Sequence, residues 1–203
     1  MTDDTKPEED FPDNHILFLA GEINLDVAVG LSQKLIEIDF MSKELGKFSP
    51  ITLVINSPGG QIEAAWQICD IMDFIECPVY TTGIGQIASA ALMIFMNGDR
   101  GHRVVSDRTS IMSHRYSWGT SGSHQNLISV HDEFCNTHER IINHYIECTG
   151  LTRKVIEDKL LCEHDVWLTG VQAKKYNLVD QVITSKKTRV RRRNTVSKRG
   201  KNK

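Results

Sequence analysis

Ser89 stands among small residues, Ala88, Ala90 and Ala91, at the start of an apolar run, so a substrate backbone can approach its hydroxyl. A helix beginning there would present the Ala90 backbone N–H to a developing oxyanion. A serine hydroxyl is a weak nucleophile until a base takes its proton. His114 follows the apolar stretch Ser110-Ile111-Met112-Ser113, in the kind of strand-end loop that supplies such a base. Asp165 lies in Glu163-His164-Asp165-Val166-Trp167-Leu168-Thr169, just before a predicted helix, where it could orient an imidazole or simply cap the helix. Upstream, Ser57-Pro58-Gly59-Gly60 separates a strand from an apolar helix, and its two glycines leave backbone N–H groups open to an anion. Taken singly, each feature has a plainer use as a helix cap, an incidental polar residue or a tight turn. The nucleophilic reading needs all of them together.

A competing motif overlaps the serine. Gly83-Ile84-Gly85-Gln86-Ile87-Ala88 matches a relaxed dinucleotide fingerprint after a strand. That fingerprint belongs to a first βαβ unit, whereas this is at least the third, and no acidic residue sits about 20 positions on at a strand end. Nucleotide binding is therefore the weaker use of the segment.

The elements that must position these groups alternate between strand and helix. Ile16–Leu19 reads as a short buried strand ending at Ala20-Gly21. Asn24 can cap a helix whose stripe is Ala28, Leu31, Leu35 and Ile38. Ile51–Ile55 reads as a second strand broken by Ser57-Pro58-Gly59-Gly60, and a buried helix is expected from Gln61 to Ile75. Val79–Thr82 is a third strand, Ser89–Met96 an apolar helix, and Arg103–Val105 and Ser110–Ser113 short strands. After the Gly/Ser-rich stretch Ser117–Ser123, the series Leu127, Val130, Phe134, His138, Ile141, Tyr145, Cys148 predicts the longest helix, stopped at Thr149-Gly150. Its apolar seam is narrow, so it should project from the body or meet another subunit. Thr152 and Thr169 cap two shorter helices, Asn177 suits a left-handed C-terminal position, and Val179–Thr184 closes as a strand. This alternation places the chain in the α/β class.

The composition bounds the rest. The 203 residues are 40% hydrophobic and 25% charged, enough for one domain with a core and tails. No apolar run approaches the roughly 20 residues that span a bilayer. The acidic start MTDDTKPEED has no apolar core and does not read as a secretory signal. Five cysteines without a C-x-x-C pair suit a reducing, cytoplasmic setting. The net charge of −2 conceals an asymmetry: residues 186–203 hold ten Lys and Arg and no acid, leaving 14 basic against 26 acidic residues elsewhere. The expected organisation is an acidic tail over 1–14, a domain over 15–185 with a handle at about 117–148, and a basic, disordered tail over 186–203.

In this order the segments resemble the Clp protease proteolytic subunit family, ClpP. The resemblance rests on Ile55-Asn56-Ser57-Pro58-Gly59-Gly60, Gly85-Gln86-Ile87-Ala88-Ser89-Ala90, Ser110-Ile111-Met112-Ser113-His114, and the aspartate segment followed by Ala173-Lys174-Lys175-Tyr176-Asn177-Leu178-Val179-Asp180. It runs from about His15 to Ile183. It implies a ClpP/crotonase-like fold, a spiral of repeated strand–helix units with a protruding helical handle. It also implies a serine endopeptidase with Ser89 as nucleophile, His114 as base and acid, and Asp165 as orienting group. The Gly60 and Ala90 N–H groups would form the oxyanion hole. Peptide or unfolded-protein substrate would add as a strand between Gln61, Ile62 and Arg115, Tyr116, Ser117. No metal or organic cofactor is implied, and neither membrane nor nucleic acid is expected as partner. The family assembles as two stacked seven-membered rings joined through the handle and works with a Clp ATPase unfoldase. A catalytically silent ring subunit and a crotonase-like acyl-CoA enzyme are the alternatives. The chain departs from the family's usual pattern at Arg115-Tyr116, at His164, and in the 14 residues before His15, where a longer pore segment is usual and ATPase docking is correspondingly uncertain.

Overall fold

The computed structural model describes residues 14–185; the two expected tails, Asn14 apart, lie outside the described residues. Seven strands and six helices follow in the order β1 (His15–Ile23), α1 (Leu25–Glu44), β2 (Ile51–Gly60), α2 (Ile62–Phe74), β3 (Val79–Ala88), α3 (Ala90–Met96), β4 (Arg103–Ser106), β5 (Ser110–Ser113), α4 (His124–Thr149), α5 (Arg153–Lys159), β6 (Val166–Thr169), α6 (Gly170–Lys175) and β7 (Gln181–Ile183). Strands β1-β2-β3-β4-β7 form a parallel sheet in that order. β3 is longer than β4 and β5 together. Its first half pairs with β4 and its last three residues, Gln86–Ala88, pair in parallel with β5, on which β6 lies antiparallel.

Local chemistry explains the helix ends. The Asn24 side chain accepts the Val27 N–H at 3.0 Å, and α1 buries Ala28, Leu31 and Leu35. Thr152 and Thr169 cap α5 and α6, the latter through a full capping box with Gln172. Gly150 ends α4 in the left-handed conformation, and Asn177 adopts the expected positive φ of 56°.

Four expectations are corrected. β2 does not break at Ser57 but runs through it to Gly60, with Ile51, Leu53, Ile55, Ser57 and Gly59 all buried. The period of two continues, carried by a serine and a glycine that hydropathy does not mark. β3 likewise runs through Gly83-Ile84-Gly85 as strand, so the dinucleotide fingerprint is not a strand-to-helix turn. β1 is longer than its apolar run, continues past a register shift at Ala20–Glu22, and exposes Ile16 and Phe18 because it is an edge strand with one face uncovered. β6 is a strand directly after Asp165, where only the helix beyond Thr169 was expected.

The core lies where α1, α2 and α3 cover the sheet, and every residue of α3 is buried. One charged pair is set into it. Arg103, 3% exposed, forms two hydrogen bonds to Asp180, at 2.9 and 2.7 Å, and donates to the Cys148 carbonyl at 2.8 Å. It thereby ties β4 to the start of β7 and to the end of α4. The buried residues of α4, Thr137, Ile141, Ile142, His144, Tyr145 and Thr149, all lie in its second half; the first half is largely exposed, with Phe134 stacked on Tyr116.

Candidate active site

Three adjacent strand ends bring the candidate catalytic residues together. The last β3–β5 partners are Ala88 and Met112, and the chain continues one residue further in contact, with the Ser89 N–H donating to the Met112 carbonyl at 3.0 Å. On the other side of β5, Ser113 is opposite Val166 in an antiparallel register, so the next residues outward are His114 and Asp165. The Ser89 Oγ lies 2.7 Å from His114 Nε2, and His114 Nδ1 lies 3.6 Å from Asp165 Oδ1. The first is a hydrogen bond. The second is ion-pair distance, longer than a hydrogen bond, with the Asp165 carboxylate 55% exposed.

Ser89 is the N-cap residue of α3, yet its hydroxyl makes no capping bond. It is held instead at φ 56° and ψ −127°, a conformation that costs a non-glycine residue about 1–3 kcal/mol. The fully buried α3 on one side and the β3–β5 pairing on the other impose that turn. It aims Oγ at the imidazole and leaves the Ala90 N–H at the first helical position, without an intrahelical acceptor.

The glycines of β2 permit the close approach. Gly59 has φ 98°, and a Cβ there would fall 2.7 Å from the Ala88 carbonyl oxygen and 2.8 Å from the Ser89 Cβ. A Cβ on Gly60 would meet the Ile23 carbonyl oxygen at 2.1 Å. The Ser57 hydroxyl accepts the Gly59 N–H at 3.0 Å and fixes the turn of the backbone. Gly60 and Ala90 therefore border the same space as Ser89.

That space is a cleft of about 100 Å3. Of the expected substrate contacts, Ile62, Tyr116 and Ser117 line it; Gln61 and Arg115 do not, and the Arg115 side chain donates to the Leu161 carbonyl at 2.7 Å. Met93, Ile141 and Tyr145 complete its wall. Sequence reading assigned none of these three to a site. Ile141 and Tyr145 were visible as the seam of α4, but a seam gives no sign of what it faces. The Tyr145 hydroxyl lies 2.8 Å from the Ser113 Oγ, and burial pushes its phenol up to about 12. Beside it, His144 meets the Met93 carbonyl at 3.0 Å; burial lowers its pKa, so a neutral imidazole donates this bond and joins α4 to α3. Among the described residues no group of three or more His, Cys, Asp or Glu could hold a metal, and no helix is long and apolar enough to cross a membrane.

The Clp protease family model matches residues 5–186. The chain belongs to the Clp protease family. It is 32% identical over 173 residues to the ATP-dependent Clp protease proteolytic subunit 1 of Corynebacterium jeikeium, covering 85% of this chain and 88% of that relative. It is 31% identical over 170 residues to the ATP-dependent Clp protease proteolytic subunit 3 of Rhizobium etli, covering 83% and 84%. Among solved structures, a ClpP1 mutant from Listeria monocytogenes superposes with a TM-score of 0.74 at 28% identity, over 85% of this chain and 93% of that one. The mixed α/β architecture is that of the ClpP fold, as the four segments implied.

Proposed function

We propose that this Clp protease chain is a serine endopeptidase that assembles into a closed compartment and cleaves peptides and unfolded proteins. The observation that carries the reading is the 2.7 Å contact between Ser89 Oγ and His114 Nε2 at a strained strand-to-helix turn. The Ser89 Oγ attacks the scissile carbonyl carbon while His114 Nε2 takes its proton. Negative charge on the carbonyl oxygen is met by the N–H groups of Gly60 and Ala90. The C–N bond then breaks, the leaving amine takes the proton from His114, and the acyl group stays on Ser89. Water, deprotonated by His114, then attacks the acyl carbon, and His114 returns the proton to the Ser89 Oγ as the ester bond breaks. Asp165, 3.6 Å from His114 Nδ1, orients the imidazole and stabilises its protonated form.

The assembly proposed is two stacked heptameric rings joined through α4, with a Clp ATPase as partner. The relatives' names and the exposed first half of α4 support it. A fluorophosphonate probe tests the chemistry. Labelling at Ser89 that disappears in Ser89→Ala, together with loss of peptide cleavage, is the expected result. Absence of labelling would favour a silent ring subunit or an acyl-CoA enzyme of related fold.

A further inference from the structure

The largely exposed first half of α4 carries two metal-ligating side chains on one face. His131 and Cys135 are about one helical turn apart, so their side chains lie one above the other. The Cys135 Sγ is 3.9 Å from His131 Nδ1 and 4.0 Å from Nε2, and both side chains are exposed. Asp132 Oδ1 stands 3.9 Å from His131 Nδ1, on the side from which a carboxylate orients a ligating imidazole. That leaves Nε2 for a metal. Tetrahedral zinc, with Zn–S about 2.3 Å and Zn–N about 2.0 Å, sets such a sulfur and nitrogen about 3.6 Å apart. A small side-chain rotation closes the difference.

Two ligands are half a site. Among the described residues no third His, Cys, Asp or Glu joins them in a group that could hold a metal ion. A second copy of the chain can supply the other half. The first buried residue of α4 is Thr137, so its free part covers residues 124–136, centred on Val130. Two such parts meeting about a two-fold axis overlap most when their centres coincide, and residues beside the axis then face their own copies. His131 and Cys135 lie beside that centre. Ile128, 52% exposed, continues their stripe with the three- and four-residue spacings of a helix–helix seam. The charges also agree: two thiolates and two neutral imidazoles cancel the charge of a divalent ion, so the interface can cover the set.

We infer that His131 and Cys135 from two copies of this chain bind one thiophilic divalent cation, with zinc as its probe, at a two-fold contact between α4 helices, and that the ion holds the contact together. Each thiol releases its proton to solvent as the Sγ–metal bond forms, and nothing is oxidised or reduced. The inference rests on the proposed joining of rings through α4 and supplies the chemistry of that contact.

The test titrates zinc chloride into the full chain, stripped of metal beforehand and kept reduced by a phosphine. Zinc should saturate at one ion per two chains. Cobalt in its place should show the thiolate-to-metal charge-transfer band of a tetrahedral site. His131→Ala and Cys135→Ser should weaken zinc binding more than about a hundredfold, beyond the loss of an outer hydrogen bond, with native circular dichroism. Cys135→His should keep zinc and lose the charge-transfer band. Sedimentation is read in parallel: zinc should raise the share of double rings in dilute wild type and leave that of Cys135→Ser unchanged. Wild type that forms double rings but binds no zinc would overturn the inference and leave ring pairing standing. So would saturation at one ion per chain, a double-ring share that zinc does not move, or unaltered zinc binding in Cys135→Ser. Chains that never pair, with or without zinc, would overturn the proposed pairing and this inference with it.

Discussion

At the scale of single residues, exposure sets how much each group of the candidate triad can contribute. Asp165 is 55% exposed and 3.6 Å from His114 Nδ1, so solvent screens its charge toward the imidazole. A buried aspartate in this role is worth about 10⁴ in kcat, through the imidazole tautomer it selects. Asp165→Asn should therefore cost about 10²–10³ in kcat, short of that limit; steady-state peptide hydrolysis measures it, and an unchanged kcat would remove Asp165 from the mechanism. Gly59 is the stricter position. An added Cβ at φ 98° would press on the Ala88 carbonyl and the Ser89 Cβ, both part of the strained turn. Gly59→Ala should displace Ser89 and lower kcat about a hundredfold, the cost of an ångström-scale misplacement. A lower Tm should accompany it. Wild-type kinetics in Gly59→Ala would show that the turn tolerates the shift.

At the scale of elements, the Arg103–Asp180 pair joins pieces far apart in sequence. Burial alone would raise the Asp180 carboxyl, but hydrogen bonds from the Arg103 side chain and backbone and from the Gly101 N–H outweigh it and hold the pKa below its ordinary 3.8. Because the folded value is depressed, the pair's contribution is complete above the unfolded value and is lost as pH falls through the folded one. Arg103→Ala leaves a half-buried carboxylate unpaired and frees the end of α4 at Cys148. It should lower unfolding stability by about 3–5 kcal/mol at neutral pH. Chemical denaturation between neutral pH and pH 3 checks both parts. The gap between wild type and Arg103→Ala should narrow below about pH 3.8, and a constant gap would show that Asp180 does not carry the effect.

At the scale of the whole molecule, the described surface exposes large apolar side chains on several elements. Phe18 is 70% exposed on β1, Phe40 stands out from α1, Phe74 from α2, and Leu127 and Ile128 from the free half of α4. Single exposed apolar side chains are ordinary on a folded surface, but Leu127 and Ile128 stand together on the helix proposed to join the rings. If α4 joins two rings, replacing Leu127 and Ile128 together with serine should leave the fold intact and reduce the sedimenting particle to half its mass. An unchanged sedimentation profile with native circular dichroism would place the contact elsewhere.

The sequence by itself determined much of this protein. Caps at Asn24, Thr152 and Thr169, the stop at Gly150 and the periodic stripes of α1 and α4 are local signals, and local physics honours them. The candidate residues Ser89, His114, Asp165, Gly60 and Ala90 were legible because several short motifs recur in one order, although no one of them is specific. What hydropathy could not show was that β2 and β3 run on through serine and glycine, since alternation stays visible only while the buried positions are apolar. Nor could it show β6, four residues whose strand character comes from pairing with β5. That pairing is what only the tertiary structure decided. Ser89, His114 and Asp165 meet because β3, β5 and β6 lie side by side in a register set by distant hydrogen bonds. The cleft gains Tyr145 because α4 folds back across α3, and a residue's own sequence neighbours carry no information about which strand end it will face.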